Sequence, residues 1–262
     1  MNDGYVSKYY GITQDSVTKD MMIIMPYYSS GDLIHFITKD FYSINWSTKL
    51  SALYNIIYGL KNIHSVKIVH RDFHSGNIFF GRDHIYDVRI GDLGISKSAT
   101  DSAEDNNENY GIIPYMAPEI FLGQKYTAAS DIYSFGMIMW EVMTGRRPFW
   151  DKNHDTDLII EIVDGLRPPI VTNAPEGYIE LMEECWHSDP KQRPTAAYAY
   201  EKIYKIRNVE DRMPYNPTKI LESPDIGPIT KINPGAIYKS RPLSDMIYSA
   251  MSLRSSRNSI GE

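Results

Sequence analysis

The stretch "IVHRDFHSGNIFF", residues 68–80, decides how this chain folds. Apolar runs on both sides read as short strands, Lys67–Val69 and Asn77–Phe80, and between them lies a polar loop holding Asp72 and Asn77. A third strand signal, Tyr86–Ile90, follows across "GRDH" as a turn, and Asp92 stands just beyond it. Asn77 and Asp92 are therefore oxygen donors at the ends of adjacent strands. Hard Mg2+ takes such oxygens, and few of them when phosphates and water complete its shell. Asp72 is placed to accept or orient the proton of an attacking hydroxyl. Phosphoryl transfer through a loose transition state asks for little more than positioning and charge neutralisation, and this set of groups suits it.

Upstream of the loop, Met21 to Met25 form an apolar run stopped by Pro26, read as a buried strand that ends at the proline. Gly31 then gives a turn and Asp32 a helix N-cap. In "NWSTKLSALYNIIYGLKNIHSV" (45–66) apolar residues recur at helical spacing, which predicts a long, largely buried helix that Ser47 can cap. Downstream, "SKSATDSAEDNNEN" (96–109) is polar, acidic and aperiodic. "YTAASDIYSFGMIMWEVMTG" (126–145) is apolar on nearly all sides after Asp131, as in a helix at the middle of a core. Helical patterns recur at 154–164, 177–187 and 195–207. Short strands in front and mostly helices behind make an α+β domain with a helical majority. Beyond 207 the chain is rich in Pro, Ser and Gly without a sustained period, which reads as an irregular, partly disordered tail (207–262).

Composition narrows the function classes. At 262 residues the chain holds one large domain or two small ones, and 42% hydrophobic content supports a globular core. A net charge of −6 gives no electrostatic footprint for nucleic acid. No window approaches ~18 consecutive apolar residues, so no membrane span is expected, and "MNDGYVSKYYG" lacks a signal-peptide core. The single cysteine, Cys185, lies in a helix-like pattern, reads as a buried structural thiol, and fits a reducing, cytoplasmic setting. His64, His70 and His74 sit on a helix end and a loop with no shared face, and do not read as a metal site.

Five elements in order resemble the eukaryotic protein kinases, with a texture most like the tyrosine-kinase-like branch. H-R-D-x-x-x-x-N is filled by His70, Arg71, Asp72 and Asn77, D-F-G appears as Asp92-Leu93-Gly94, and A-P-E as Ala117-Pro118-Glu119. "DIYSFG" (131–136) and "CWHSDPKQRP" (185–194) resemble the two later elements. The match covers about residues 5 to 206. It implies a protein-kinase-like α+β fold in which residues 1–30 are a small-lobe remnant and hinge, and 31–206 a mainly helical large lobe. It implies an ATP- and Mg2+-dependent transfer to protein hydroxyls in signal transduction, with ATP and a protein substrate as partners and neither nucleic acid nor membrane. By position, Asp72 resembles the catalytic base, Asn77 and Asp92 the Mg2+ ligands, Met25, Pro26, Tyr27 and Tyr28 the gatekeeper and hinge, Asp32 the ribose contact and Phe79 the pocket floor. Arg71 resembles the arginine that meets a phosphorylated activation segment, Glu119 and Arg193 a buried ion pair, and Asp131 the brace of the catalytic loop.

The sequence departs from the family pattern in three places. No G-x-G-x-x-G run occurs, and Lys8, too close to the hinge strand for a helix to intervene, reads as a surface lysine and not a phosphate ligand. The chain is thus expected to start just before the last two small-lobe strands and to leave their apolar surface uncovered. His74 replaces the lysine that usually stands two after the base, and an imidazole there can donate one hydrogen bond to phosphate. Gly111-Ile112 replaces the Gly-Thr of serine/threonine kinases, removing a hydroxyl expected near the base. Serine/threonine and tyrosine acceptors both stay open. So do a non-catalytic, pseudokinase-like scaffold and a fragment of a longer active kinase.

Overall fold

The computed structural model describes residues 4–81, 87–93, 97–98, 109–213 and 215–260, with the backbone alone at 97–98 and 258–260. Its centre is α4 (Ala128–Thr144), buried from Ser130 to Thr144 on every side. That follows from a sequence with no polar face after Asp131. Gly136, in the middle of α4, lets α6 (Tyr178–Cys185) approach so closely that a Cβ there would stand 3.0 Å from Cys185 Cβ and 3.2 Å from the Met182 carbonyl oxygen. Cys185 is buried in this contact, and burial pushes its thiol well above the ordinary range.

Helix α2 (Trp46–Ser65) lies along α7 (Ala196–Asp211), burying Leu50, Leu53, Ile57 and Leu60. The cap of α2 is Asn45, whose side chain accepts from the Thr48 amide, in place of the expected Ser47. Ser47 lies inside the first turn, and its hydroxyl donates to Asp211 on α7 at 2.5 Å. Helix α1 (Leu33–Lys39) is capped by Asp32 through the His35 amide. Strand β3 (Ile68–Val69) pairs with β6 (Lys97–Ser98), and β4 (Ile78–Phe80) forms an antiparallel hairpin with β5 (Val88–Ile90) in the register Ile78↔Ile90. The loop 70–77 is thus slung between β3 and β4. Helices α3 (Pro118–Phe121) and α5 (Thr156–Val163) complete this part of the helical body.

The small lobe is reduced, among the described residues, to the hairpin β1 (Gly11–Gln14) and β2 (Met21–Ile24) and the segment leading into it. The expected burial of β2 does not occur. Ile12, Met21 and Ile23 are 57–68% exposed, because β1 and β2 form a sheet of two strands and so give one thin layer. The uncovered apolar surface expected of the remnant is present.

The other difference is at the C-terminal end. The stretch 207–262, expected to be irregular, contains the last turn of α7 and a 17-residue helix, α8 (Ser244–Ile260). Helix α8 packs on α5 and buries Ile247 and Ala250, with Arg254–Asp164 (2.7 Å) and Arg257–Asp157 (2.9 Å) as ion pairs. The chain between the two helices is tied by backbone groups: Arg146 donates to the carbonyls of Ile226 and Gly227, and the Gly227 amide to the Thr144 carbonyl. A run of such contacts has no side-chain period, so the pattern of the sequence could not announce it.

Alanine in a helix interior ordinarily gains ~1 kcal/mol over glycine. At Gly136 the added Cβ meets two backbone atoms of the 182–186 segment, which cannot swing aside. Gly136→Ala is expected to lower the midpoint of thermal unfolding, and a raised midpoint would refute the close-packing account.

Candidate active site

Asp131, in the first turn of α4, sets the loop. Its Oδ2 accepts from the His70 amide (2.9 Å) and its Oδ1 from the Arg71 amide (3.0 Å), while His64 Nε2 on α2 stands 2.8 Å from Oδ2. This holds Arg71 at φ +73°, a left-handed conformation that a non-glycine residue takes at a cost. His70 is fully buried and donates from Nε2 to the Gly91 carbonyl at 3.0 Å. Burial lowers its pKa, so the ring is neutral and simply ties the loop to the end of β5.

Beyond Arg71 the loop turns back. Asn77 Nδ2 donates to the Asp72 carbonyl at 2.9 Å, closing the five-residue span. Its own carbonyl accepts from the Gly91 amide at 2.8 Å, extending the β4–β5 ladder by one pair. Asp92 follows at φ +53°, its amide donating to the Tyr9 hydroxyl at 2.6 Å. Asn77 and Asp92 therefore share one end of the hairpin. With Nδ2 engaged, Asn77 offers Oδ1 to a cation, and Asp92 adds a carboxylate. That hard, sparse donor set fits Mg2+. Among the described residues no cluster of three His, Cys, Asp or Glu offers a rival metal site.

Asp72 is 5% exposed. Burial alone would raise its pKa, but hydrogen bonding from the His74 and Ser240 side chains brings it below the usual carboxylate range. The carboxylate is thus ionised at neutral pH. His74 Nδ1 accepts from the Gly76 amide at 3.1 Å, which leaves Nε2 as the ring's donor end. That donor end faces Asp72 Oδ2 at 3.6 Å. The nearest hydroxyl is Ser240, whose Oγ donates to Asp72 Oδ2 at 2.6 Å and lies 3.4 Å from His74 Nε2. The hydroxyl lost at Ile112, itself buried, is replaced here by one from the far end of the chain.

The proposed nucleotide-facing residues are less uniformly gathered. Segment 30–32 runs beside β4, with Ser30 N donating to Phe80 O and Phe80 N to Gly31 O, and Asp32 bridging Phe79. Phe79 is held between two surfaces. The Tyr28 ring stacks on it at 5.2 Å and 10°, and a Cβ on Gly91 would fall 2.5 Å from its edge. Met25 and Pro26 are half-buried, whereas Tyr27 is 92% exposed and outside the packed part of the hinge. The carboxylate of Asp32 already accepts the His35 amide, so a ribose would share it.

Glu119 and Arg193 form a buried, two-pronged ion pair (2.7 and 2.6 Å) that ties α3 to the segment after α6. The Arg71 guanidinium lies over the Tyr126 ring at 5.6 Å. Gly94 and most of the acidic segment that Arg71 was expected to meet fall outside the described residues. Sequence reasoning missed four contributors: Ser240, Tyr9, His64 as a partner of Asp131, and Glu141. Glu141 is fully buried beneath the loop and accepts from Ser75 Oγ and the Tyr115 hydroxyl, both at 2.9 Å. A carboxylate inside an apolar helix was the available signal for it; none existed for Ser240.

Comparison with known proteins gives a consistent picture. The family profile described as protein tyrosine and serine/threonine kinase matches residues 2–203. The chain is 37% identical over 185 residues to "Probable serine/threonine-protein kinase roco5" of Dictyostelium discoideum, covering 66% of this chain and 7% of that protein. It is 32% identical over 206 residues to Ephrin type-A receptor 7 of Gallus gallus, covering 77% of this chain and 20% of that protein. The matched region is a small part of either relative.

Burial raises the Glu141 carboxyl from 4.5 to about 7. Between those values the folded chain holds a proton that the unfolded chain has released, so stability falls as pH rises through that window. Glu141→Gln is expected to flatten the fall, by up to roughly 3 kcal/mol across the window. Urea unfolding of both chains at about pH 5 and about pH 7 reads the difference directly. Parallel pH dependences in the two chains would show that Glu141 is not the group responsible.

Proposed function

The chain belongs to the protein tyrosine and serine/threonine kinase family, and we propose that residues 25–92 carry its phosphoryl-transfer site. Members of this family generally use ATP and Mg2+. Here Asn77 Oδ1 and the Asp92 carboxylate would hold the Mg2+, which supplies charge neutralisation at the transferred phosphoryl group. Asp72 positions the acceptor hydroxyl and takes its proton, and His74 Nε2–H is the nearby donor to a phosphate oxygen. The half-buried hinge residues and Phe79 form the adenosine contact. The observation that carries this reading is a hydroxyl 2.6 Å from an ionised, buried carboxylate at the loop's centre. A cytoplasmic location fits the single buried cysteine, and no helix among the described residues is long and apolar enough to cross a membrane.

A second reading, a module that binds without catalysing, is favoured by a different observation. The Tyr28 ring covers Phe79, where adenine would rest.

Asp72→Asn separates the two. For the catalytic reading, phosphoryl transfer in Mg·ATP is expected to fall by ~10²–10⁴, with ATP binding by calorimetry little changed. Asn77→Ala and Asp92→Asn should instead raise the Mg2+ concentration needed for binding. Failure of the unaltered chain to bind millimolar Mg·ATP would rule out catalysis by this chain and leave the binding module.

A further inference from the structure

The segment that brings Ser240 to Asp72 is docked as a strand. β8 (Arg241–Pro242) pairs antiparallel with β7 (Tyr110–Gly111), in the register Tyr110↔Pro242 and Gly111↔Arg241. The ladder runs on through the Leu243 amide to the Asn109 carbonyl (2.7 Å) and the Asn109 amide to Ser244 Oγ (2.9 Å). Adding an extended peptide to a strand edge is a standard mode of peptide recognition, with backbone bonds for affinity and pockets for alternate side chains. Those pockets are present. Leu243 is 1% exposed. The Tyr238 ring meets His154 edge-on at 4.8 Å, and its hydroxyl donates to the Pro148 carbonyl. Arg241 donates to the His154 carbonyl at 2.8 Å. Helix α8, clamped on α5, anchors the segment from its C-terminal side.

We infer that residues 238–243 are an acceptor peptide held in cis, and that Ser240 is a site this chain phosphorylates on itself. The inference rests on the kinase reading above and names an acceptor for it. Three features single out Ser240. Its hydroxyl already donates to the proposed base, its backbone neighbours are fixed by the β7–β8 pairing, and Ser244, the next serine, is occupied by the Asn109 amide. In the transfer, Ser240 Oγ attacks the γ-phosphorus of the nucleoside triphosphate. The bond from that phosphorus to the β,γ-bridging oxygen breaks, and the diphosphate leaves with the electron pair. The hydroxyl proton passes to Asp72 Oδ2. Once that proton has passed on to solvent, the product places a phosphate against the Asp72 carboxylate, and this like-charge contact expels the segment from the groove.

Two measurements decide it, one without nucleotide. In the unaltered chain the Leu243 amide is expected to exchange slowly, and Ser240→Glu, which mimics the product's charge, to speed its exchange by at least ~tenfold. Fast exchange in the unaltered chain, or none gained in Ser240→Glu, overturns the docking. With Mg·ATP and an added basic acceptor protein, peptide mapping should place phosphate on Ser240, absent in Ser240→Ala and Asp72→Asn, at a first-order rate independent of chain concentration. Phosphate on the added protein with Ser240 unmodified overturns the acceptor role and leaves the kinase reading intact. Transfer to no hydroxyl at all rejects the kinase reading and the acceptor role together.

Discussion

The site depends on one carboxylate that performs no chemistry. Asp131 accepts the amides of His70 and Arg71 on its two oxygens and meets His64 beside them. A buried carboxyl group is costly to desolvate unless hydrogen bonds surround it, and here two backbone amides supply them. The same bonds stabilise the left-handed turn at Arg71, which a free peptide would seldom adopt. From that turn follow the direction of Asp72, the closure of the loop by Asn77, and the link through His70 to the strand end where Asp92 begins. Helix α4 is rigid because it is buried all round, so the carboxylate at its start is a fixed reference point for the loop.

Around that point the chain assembles parts far apart in sequence. The Glu119–Arg193 pair, shielded from solvent, fixes the entry to α3. Glu141, Ser75 and Tyr115 make a second buried polar cluster directly below the loop. Losing one member of either set leaves a stranded polar group, so each specifies geometry more than it adds stability. The C-terminal segment then lies across the finished surface, supplying a hydroxyl where residue 112 has only an aliphatic side chain.

Much of this was legible in the sequence, for a physical reason. Long helices with a buried stripe, such as α2, and the wholly apolar α4 announce themselves by period. The loop residues are recognisable because the chemistry proposed for them fixes both type and spacing. What failed to show was long-range or covered by other parts of the chain. The apolar run of β2 looks buried in one dimension, yet burial depends on a neighbour that no local pattern supplies. Ser240 sits in a Pro- and Gly-rich stretch whose order comes from backbone pairing with β7, and backbone pairing leaves no residue-type signature. The cap of α2 fell two residues from the expected one because Asn45 and Ser47 are both good caps by composition, and only the position of Asp211 separates them.

The bond from the Asp92 amide to the Tyr9 hydroxyl joins the segment entering β1 to a proposed metal ligand. A hydrogen bond of this kind contributes ~1 kcal/mol net. If it forms in only one seating of that segment and only while a cation is held at Asp92, seating and cation binding are thermodynamically linked by the same amount, or about fivefold in affinity. Linkage is reciprocal. A cation at Asp92 would favour the seated hairpin as much as the seated hairpin favours the cation, so occupancy of the cleft would be legible at the exposed face of β1 and β2.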